Sequence, residues 1–160
     1  IRDDYPSLVP GPGSEALASH VQLLDEFLFQ EHQKGQLKLP LQKISQEKIW
    51  VHGHCHQKAA NATGSTLGIL QTIPGLEVEL IPSSCCGMAG SFGYESENYE
   101  ISMKMAELSL LPKIRTLDQN HGIVACGTSC RQQIQHGSGK SAMHTAQILR
   151  QAISDASSLN

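Results

Sequence analysis

Three short apolar segments, each followed by a loop that contains cysteine, constrain the fold of this chain most strongly. They begin at Ile49, Leu76 and Gly122, and stretches in which apolar residues recur with helical spacing separate them. Strands that alternate with helices of this length are typical of a parallel sheet covered by helices. The sequence therefore predicts an α/β fold.

The segments around these strands set the predicted boundaries within a single domain of 160 residues. A lead-in rich in proline and glycine and one amphipathic helix over 14–35 occupy 1–40. The α/β core with the cysteine loops occupies 48–154, where a long helical stretch is interrupted at Pro112 and a last helix runs to Ser154. We expect a Rossmann-like layered domain, in which a small, mostly parallel sheet is flanked by helices.

Charge and hydropathy exclude two classes of partner. The chain carries 15 acidic and 12 basic side chains, a formal net charge of −3, whereas nucleic-acid binding by bulk charge needs an excess of lysine and arginine. No segment approaches the roughly 20 apolar residues of a membrane-spanning helix, and the first residues lack the apolar centre of a signal peptide. We expect a cytoplasmic protein that binds no nucleic acid, has no membrane span and associates with a membrane only peripherally, through a partner.

Every cysteine follows the carboxyl end of a predicted strand within a few residues. Loops at this end of parallel strands meet at one edge of the sheet, where α/β proteins bind their ligands. Cysteines that serve only as small core residues belong inside strands and helices, whereas these lie in loops beside glycine. In a chain without an export signal they are better interpreted as metal ligands or reactive thiols than as disulfide partners. We predict one shared site that contains Cys55, Cys85, Cys86, Cys126 and Cys130.

The spacing of the thiols favours a cluster over a single ion. Structural zinc sites use four ligands that usually include close pairs such as Cys-x2-Cys, and this chain has no such pair. The adjacent thiolates of Cys85 and Cys86 can reach two metal atoms of a cluster more easily than they can chelate one small ion. An iron–sulfur cluster is therefore the first interpretation and zinc the second. A redox-active disulfide between the adjacent cysteines is the third, because that small ring is strained.

Histidines flank the first cysteine, since residues 52–57 read His-Gly-His-Cys-His-Gln. Imidazole can ligate a metal or donate a hydrogen bond to a cluster sulfur. We interpret His54 and His56 as residues that hydrogen-bond around the ligands rather than as ligands. A short helix predicted over 131–136 would favour the thiolate form of Cys130 through its dipole.

The residues around the cysteines resemble a known family. Three segments carry the resemblance, namely His54-Cys55-His56-Gln57-Lys58-Ala59, Ser84-Cys85-Cys86-Gly87-Met88-Ala89-Gly90-Ser91-Phe92-Gly93-Tyr94-Glu95 and Gly127-Thr128-Ser129-Cys130-Arg131-Gln132-Gln133-Ile134. They closely resemble the cysteine-rich CCG domain at the C-terminal end of FAD-linked oxidases of the D-lactate, glycolate and D-2-hydroxyglutarate dehydrogenase type. Related domains occur in heterodisulfide reductase. The segments 2–6 and 142–144 also look like that family, so the resemblance covers nearly the whole chain.

The resemblance implies a set of site residues. The candidate cluster ligands are Cys55, Cys85, Cys86 and Cys130. The residues expected to surround them are His54, His56, Gly87 and His144. Cys126 is a departure, because the flavin-linked version commonly lacks a cysteine there, and the heterodisulfide reductase version has Cys-x2-Cys where this chain has Cys-x3-Cys. The number of ligands is therefore four or five, in a cluster expected to be of the [4Fe–4S] type.

The resemblance also implies a function within a larger enzyme. Substrate is oxidised at a flavin, and electrons leave through iron–sulfur centres toward a quinone or another acceptor. FAD is expected on a different domain or subunit, so residues 1–160, as a single CCG-type domain, would be a fragment or a subunit that is not catalytically complete alone. The alternatives are a zinc-stabilised docking domain of such an enzyme and a thiol–disulfide redox module.

Overall fold

Three parallel strands form the centre of the computed structural model, which describes residues 1–153. The strands are β1 (Lys48–His52), β2 (Glu77–Leu80) and β3 (His121–Ala125), in the order β2-β1-β3. Val51 of β1 pairs with Leu80 on one side and with Val124 on the other. Helices flank the sheet, so the predicted α/β fold is confirmed.

Helices occupy most of the remaining described chain. The α-helices are α1 (Asp4–Leu8), α2 (Pro12–His20), α3 (Leu24–Gln33), α4 (Cys55–Ala59), α5 (Thr63–Leu70), α6 (Tyr99–Glu107), α7 (Leu110–Arg115), α8 (Thr128–Ser138) and α9 (Thr145–Ala152). Two short 3₁₀ helices, Phe92–Tyr94 and Ser96–Asn98, precede α6. None of the helices formed by the described residues has the length and hydrophobicity that a bilayer span requires.

Each face of the sheet carries its own apolar core, because successive side chains of a strand point to opposite faces. Ile49 and Val51 of β1 pack on one face with residues of α5 and α9, among them the fully buried Ile148. Trp50 lies on the other face beside residues of α7 and α8, among them the fully buried Ile134. The two cores fix the strands, and the strands fix the edge from which the cysteine loops leave.

The single helix predicted over 14–35 is two helices, α2 and α3. The chain is extended between them, and α3 restarts where the Glu26 carboxylate accepts a hydrogen bond of 2.8 Å from the backbone N–H of Leu23. The apolar residues on the two sides of the gap continue the helical period by chance. The sequence pattern therefore did not reveal the break between α2 and α3. Ser14 does not precede the helix as predicted, because α2 begins two residues earlier.

Three other predicted helix boundaries differ from the structure. The interruption predicted at Pro112 occurs at 108–109, and the proline lies in the first turn of α7, where its missing N–H breaks no helical hydrogen bond. The helix predicted over 131–136 is the longer α8, which includes Cys130 in its first turn. Ser154, the predicted end of the last helix, lies outside the described residues.

An ion pair ties the N-terminal segment to α3. One guanidinium nitrogen of Arg2 donates to both carboxylate oxygens of Glu26, at 2.9 and 2.8 Å. Burial alone would raise the pKa of Glu26, but the hydrogen bonds from Arg2 and from the Leu23 N–H hold it below its ordinary value of 4.5. Such a carboxylate stabilises the fold above its unfolded pKa, and this contribution is lost as the pH falls through the folded value.

Glu26→Gln is therefore expected to cost about 1 kcal/mol at pH 7 and to reduce the loss of stability in acid. Urea unfolding at pH 7 and at pH 3 measures both effects. Glu15→Gln, at an exposed acidic position in the first turn of α2, is the matched control and should change neither. Equal acid sensitivity in the wild type and Glu26→Gln would contradict the prediction.

Candidate metal centre

Four of the five cysteines meet at the carboxyl edge of the sheet. Cys55 is the first residue of α4, Cys85 and Cys86 lie in the loop after β2, and Cys130 lies in the first turn of α8. The sulfur atoms of Cys86 and Cys130 are 3.2 Å apart. Cys85 lies close enough to Cys55 to act on its thiol, and both residues act electrostatically on Cys130. Three segments that are far apart in sequence thus bring four thiols into one group. The predicted loop position is confirmed for Cys85 and Cys86, whereas Cys55 and Cys130 lie in the first turns of helices.

His52, the last residue of β1, lies against this group. A ring nitrogen of His52 and the sulfurs of Cys86 and Cys130 lie within 4.8 Å of one another. Its ring is 1% exposed, and Nδ1 is 2.8 Å from the hydroxyl oxygen of Ser83. Among the described residues, His52 Nε2 is the one fully buried side-chain nitrogen or oxygen without a hydrogen-bond partner. The sequence patterns did not single out His52, although its place at the end of a buried strand next to a cysteine loop is a usable signal.

The thiols of Cys86 and Cys130 shift each other's pKa in opposite directions. The hydrogen bond from Cys130, together with the neighbouring His52, lowers the pKa of Cys86 to about 4 against the effect of burial. The hydrogen bond to Cys86 and then burial raise the pKa of Cys130. Both effects act against the helix dipole, from which we predicted that the thiolate form of Cys130 is favoured.

Gly87 shapes the loop that carries the adjacent cysteines. Its φ of 90° lies in the region that side chains rarely adopt, and a Cβ there would overlap the backbone carbonyl of Ser102 on α6. The backbone N–H of Gly87 donates to the sulfur of Cys85 at 3.3 Å. The loop can therefore close tightly against α6, with its N–H directed at the Cys85 sulfur, only because this residue is glycine.

Lys58 fastens α4 to the same loop. Its ammonium donates to the carbonyl oxygens of Ser83 and Ser84, at 2.5 and 2.7 Å. Burial and then Cys85 raise the pKa of Cys55, whereas the charge of Lys58 opposes that rise. Lys58 thus fixes the distance between two cysteine-bearing segments and offsets negative charge beside them.

His54 and His144 have the same local structure at the starts of α4 and α9. Each imidazole Nδ1 accepts a hydrogen bond from the backbone N–H two residues later, at 3.2 and 3.1 Å. Each backbone N–H donates to a glutamine three residues later, at 3.0 and 2.8 Å. The His54 ring also lies over Gly127, so close that a Cβ there would overlap it. Burial and then His56 lower the pKa of His54, so a neutral ring lies beside the cysteine group.

The second of the two histidines, His144, lines a cleft of about 760 Å³. His54 and His56 also line this cleft, as do Leu23 and Leu24, before and at the start of α3. The sequence-predicted neighbours of the centre are thus divided. His54 lies between the cysteine group and the cleft, whereas His56 and His144 face the cleft.

Cys126 lies at the cleft rather than in the group of four thiols. Its sulfur is 3.2 Å from the hydroxyl oxygen of Thr145 and 3.4 Å from a carboxylate oxygen of Asp25. Burial and then the charge of Asp25 raise the pKa of Cys126. The same Asp25 oxygen accepts hydrogen bonds from Thr66 and Thr145, at 2.5 and 3.2 Å. A protonated Cys126 therefore serves as one of three donors to a buried carboxylate.

Removal of this carboxylate is expected to destabilise the fold. Asp25→Ala leaves two buried hydroxyls and the partly buried Cys126 thiol without their acceptor, so we expect a loss of about 3 kcal/mol in the free energy of unfolding. Asp25→Asn keeps an acceptor oxygen and should lose less. Urea unfolding followed by circular dichroism measures both variants, and a loss below about 0.5 kcal/mol in Asp25→Ala, typical of a surface site, is the result that would count against this role.

The known proteins to which this chain is similar include two kinds of enzyme. The chain is 29% identical over 155 residues to one subunit of the anaerobic glycerol-3-phosphate dehydrogenase of Escherichia coli (strain K12), a match that covers 96% of this chain and 37% of the relative. It is 30% identical over 154 residues to the D-2-hydroxyglutarate dehydrogenase of the same strain, and 32% identical over 155 residues to that of Pantoea ananatis. Both kinds of relative are oxidoreductases.

The matched region is a minor part of each relative. It covers 95% of this chain but 14% of each of these two D-2-hydroxyglutarate dehydrogenases. No family model and no solved structure matches the chain. The chain is thus similar to a segment of larger redox enzymes.

Proposed function

We propose that this chain is the iron–sulfur electron-transfer module of a flavin-dependent 2-hydroxy-acid oxidoreductase. The observation that carries the proposal is the meeting of four thiols from three separate segments, with a partnerless imidazole nitrogen beside them. Cysteine thiolates are the ligands that hold iron–sulfur clusters, and such clusters pass single electrons without the need for a bound substrate.

One [4Fe–4S] cluster needs at least four ligands in its usual form. We assign this role to Cys55, Cys85, Cys86 and Cys130, and we place Cys126 outside the ligand set because its sulfur already serves Asp25 and Thr145. Other residues of the chain change the electrostatic environment of the cluster. Lysine charge and N–H donors directed at ligand sulfurs stabilise the reduced, more negative state, which raises the reduction potential.

The remainder of the reaction belongs to the larger protein. The two kinds of relative are named for the oxidation of glycerol 3-phosphate and of D-2-hydroxyglutarate, and this chain spans only 37% and 14% of their lengths. We therefore propose that a flavin-containing dehydrogenase domain or subunit oxidises the substrate and delivers electrons to this module. The module then forwards them to a quinone or another acceptor, and any contact with a membrane runs through that partner.

Metal analysis tests the proposal directly. The chain is purified, reduced and reconstituted under argon with ferrous iron and sulfide, and then assayed for iron, acid-labile sulfide and the EPR signal of the reduced cluster. We expect about four iron and four sulfide per chain. Protein with five intact thiols that takes up neither would overturn the proposal.

Zinc is the second candidate, because a buried group of one histidine and two cysteines is also a ligand set that zinc accepts. In that case the chain would be a docking domain whose loops the ion holds together. Elemental analysis that finds one zinc and no iron, with unfolding on chelation, would favour this interpretation. Mass spectrometry of alkylated samples tests the third possibility, a disulfide between Cys85 and Cys86.

A further inference from the structure

We infer that His52 is itself a ligand of the centre, a fifth one beside the four cysteines, so that the centre has mixed cysteine and histidine ligation. The inference rests on the proposed function, and it goes beyond it because neither the motifs nor the relatives assign any role to this residue. Three observations carry it, namely the burial of the ring, the hydrogen bond of one ring nitrogen and the lack of any partner for the other.

The hydrogen bond of Nδ1 determines which atom of His52 is available. Nδ1 is 2.8 Å from the hydroxyl oxygen of Ser83, and that hydroxyl is directed at the carbonyl oxygen of Ile81, at 3.5 Å. A hydroxyl that donates to a carbonyl can accept from an imidazole N–H, and in this arrangement the ring proton of His52 lies on Nδ1. Nε2 then carries a free lone pair. Histidines that bind metals are held in this way, with the other ring N–H donated to an oxygen.

An ordinary core histidine does not explain this arrangement. Buried polar atoms in folded proteins nearly always have a hydrogen-bond partner, and Nε2 of His52 is the exception among the fully buried side-chain nitrogens and oxygens of residues 1–153. The neighbours with which it forms a compact group are the sulfurs of Cys86 and Cys130. A metal atom held by these two sulfurs would supply the partner that the nitrogen lacks.

The alternative is that Nε2 carries the proton and only donates a hydrogen bond to a ligand sulfur. The two cases differ in which atoms are bonded to the metal. A direct ligand gives the metal a bonded nitrogen, whereas a hydrogen-bond donor does not.

Cobalt binding tests the ligation without the need for an iron–sulfur cluster. The reduced, cluster-free chain is titrated with Co²⁺ under argon and followed by visible absorption and by proton NMR. We expect thiolate-to-cobalt absorption and a strongly shifted, solvent-exchangeable signal from the Nδ1–H of a bound imidazole. His52→Ala should lose that signal and bind Co²⁺ about 100-fold more weakly, whereas His54→Ala should keep the signal.

A second variant separates ligation from folding. His52→Cys supplies another metal ligand at the same position, so it should restore Co²⁺ affinity without the imidazole signal, and circular dichroism confirms that each variant is folded. In the cluster-loaded chain, pulsed EPR after labelling with ¹⁵N-histidine should detect a directly bonded nitrogen that His52→Ala abolishes. His52→Cys should lower the reduction potential of that cluster.

The outcomes distinguish the inference from the function on which it rests. Thiolate-to-cobalt absorption without the shifted N–H signal, or a loaded cluster without bonded nitrogen, overturns the ligand role of His52 and leaves the proposed centre standing. Failure of both Co²⁺ and iron to bind any thiolate overturns both proposals. Loss of the N–H signal in His54→Ala but not in His52→Ala would show that the bound imidazole belongs to His54. This result would also overturn the inference.

Discussion

Cys86→Ser and Cys130→Ser chains are expected to take up at least about tenfold less iron and sulfide than the wild type. Both sulfurs lie in the centre of the thiol group, 3.2 Å apart, and each is buried. A serine hydroxyl is a far poorer ligand for iron than a thiolate, because it stays protonated at neutral pH and is a harder donor. Iron and acid-labile sulfide after anaerobic reconstitution give the measurement.

Cys126→Ser is the matched control for this experiment. It makes the same chemical change in the same chain, and its hydroxyl can still reach Thr145 and Asp25. We expect this variant to retain most of the iron and sulfide, because the Cys126 sulfur lies at the cleft. Equal losses from Cys86→Ser, Cys130→Ser and Cys126→Ser would show that Cys126 is a full ligand and that the four-thiol assignment is wrong.

Gly87→Ala is expected to lower the free energy of unfolding by about 3 kcal/mol. An alanine would be strained at a φ of 90°, and its Cβ would overlap the carbonyl of Ser102 on α6. The loop could relieve the overlap only by moving away from α6, which would also displace the sulfurs of Cys85 and Cys86. Urea unfolding and iron uptake of the same preparation should therefore both fall.

The variant Gly90→Ala separates the effect of backbone strain on stability from the effect of steric overlap. Gly90 lies in the same loop with a φ of 70°, but a Cβ there would have nothing within 4 Å. This variant carries the conformational strain without the overlap, so we expect a loss of about 1 kcal/mol and nearly unchanged iron uptake. If Gly87→Ala proves no worse than Gly90→Ala, close packing against α6 is not what requires the glycine.

Local sequence patterns were sufficient to predict the sheet and the edge of the sheet at which the cysteines lie. Short apolar runs predicted all three strands, and their order along the chain, with helices between them, required parallel pairing. Parallel strands in turn bring the loops after their carboxyl ends together, which is why Cys55, Cys86 and Cys130 could be expected at one edge. These features depend on residues that are close in sequence and on general rules of chain connection.

The features that sequence patterns missed depend on contacts between distant segments. The break between α2 and α3 is set by Glu26, which both restarts a helix and pairs with Arg2. The environment of Cys126 is set by Asp25, 101 residues earlier in the chain. His52 became notable only when its burial and its neighbours were known, since three histidines in alternate positions look equivalent in the sequence.

Trp50, the only tryptophan of the chain, lies on β1 two residues before His52. Its indole N–H donates to His121 at 3.3 Å, and the ammonium of Lys113 lies 3.8 Å from the centre of one ring. The indole is thus held in a fixed position on the strand that leads into the candidate centre. An iron–sulfur chromophore at the end of that strand would absorb its emission, so cluster loading could be followed by the quenching of intrinsic fluorescence, without any added label.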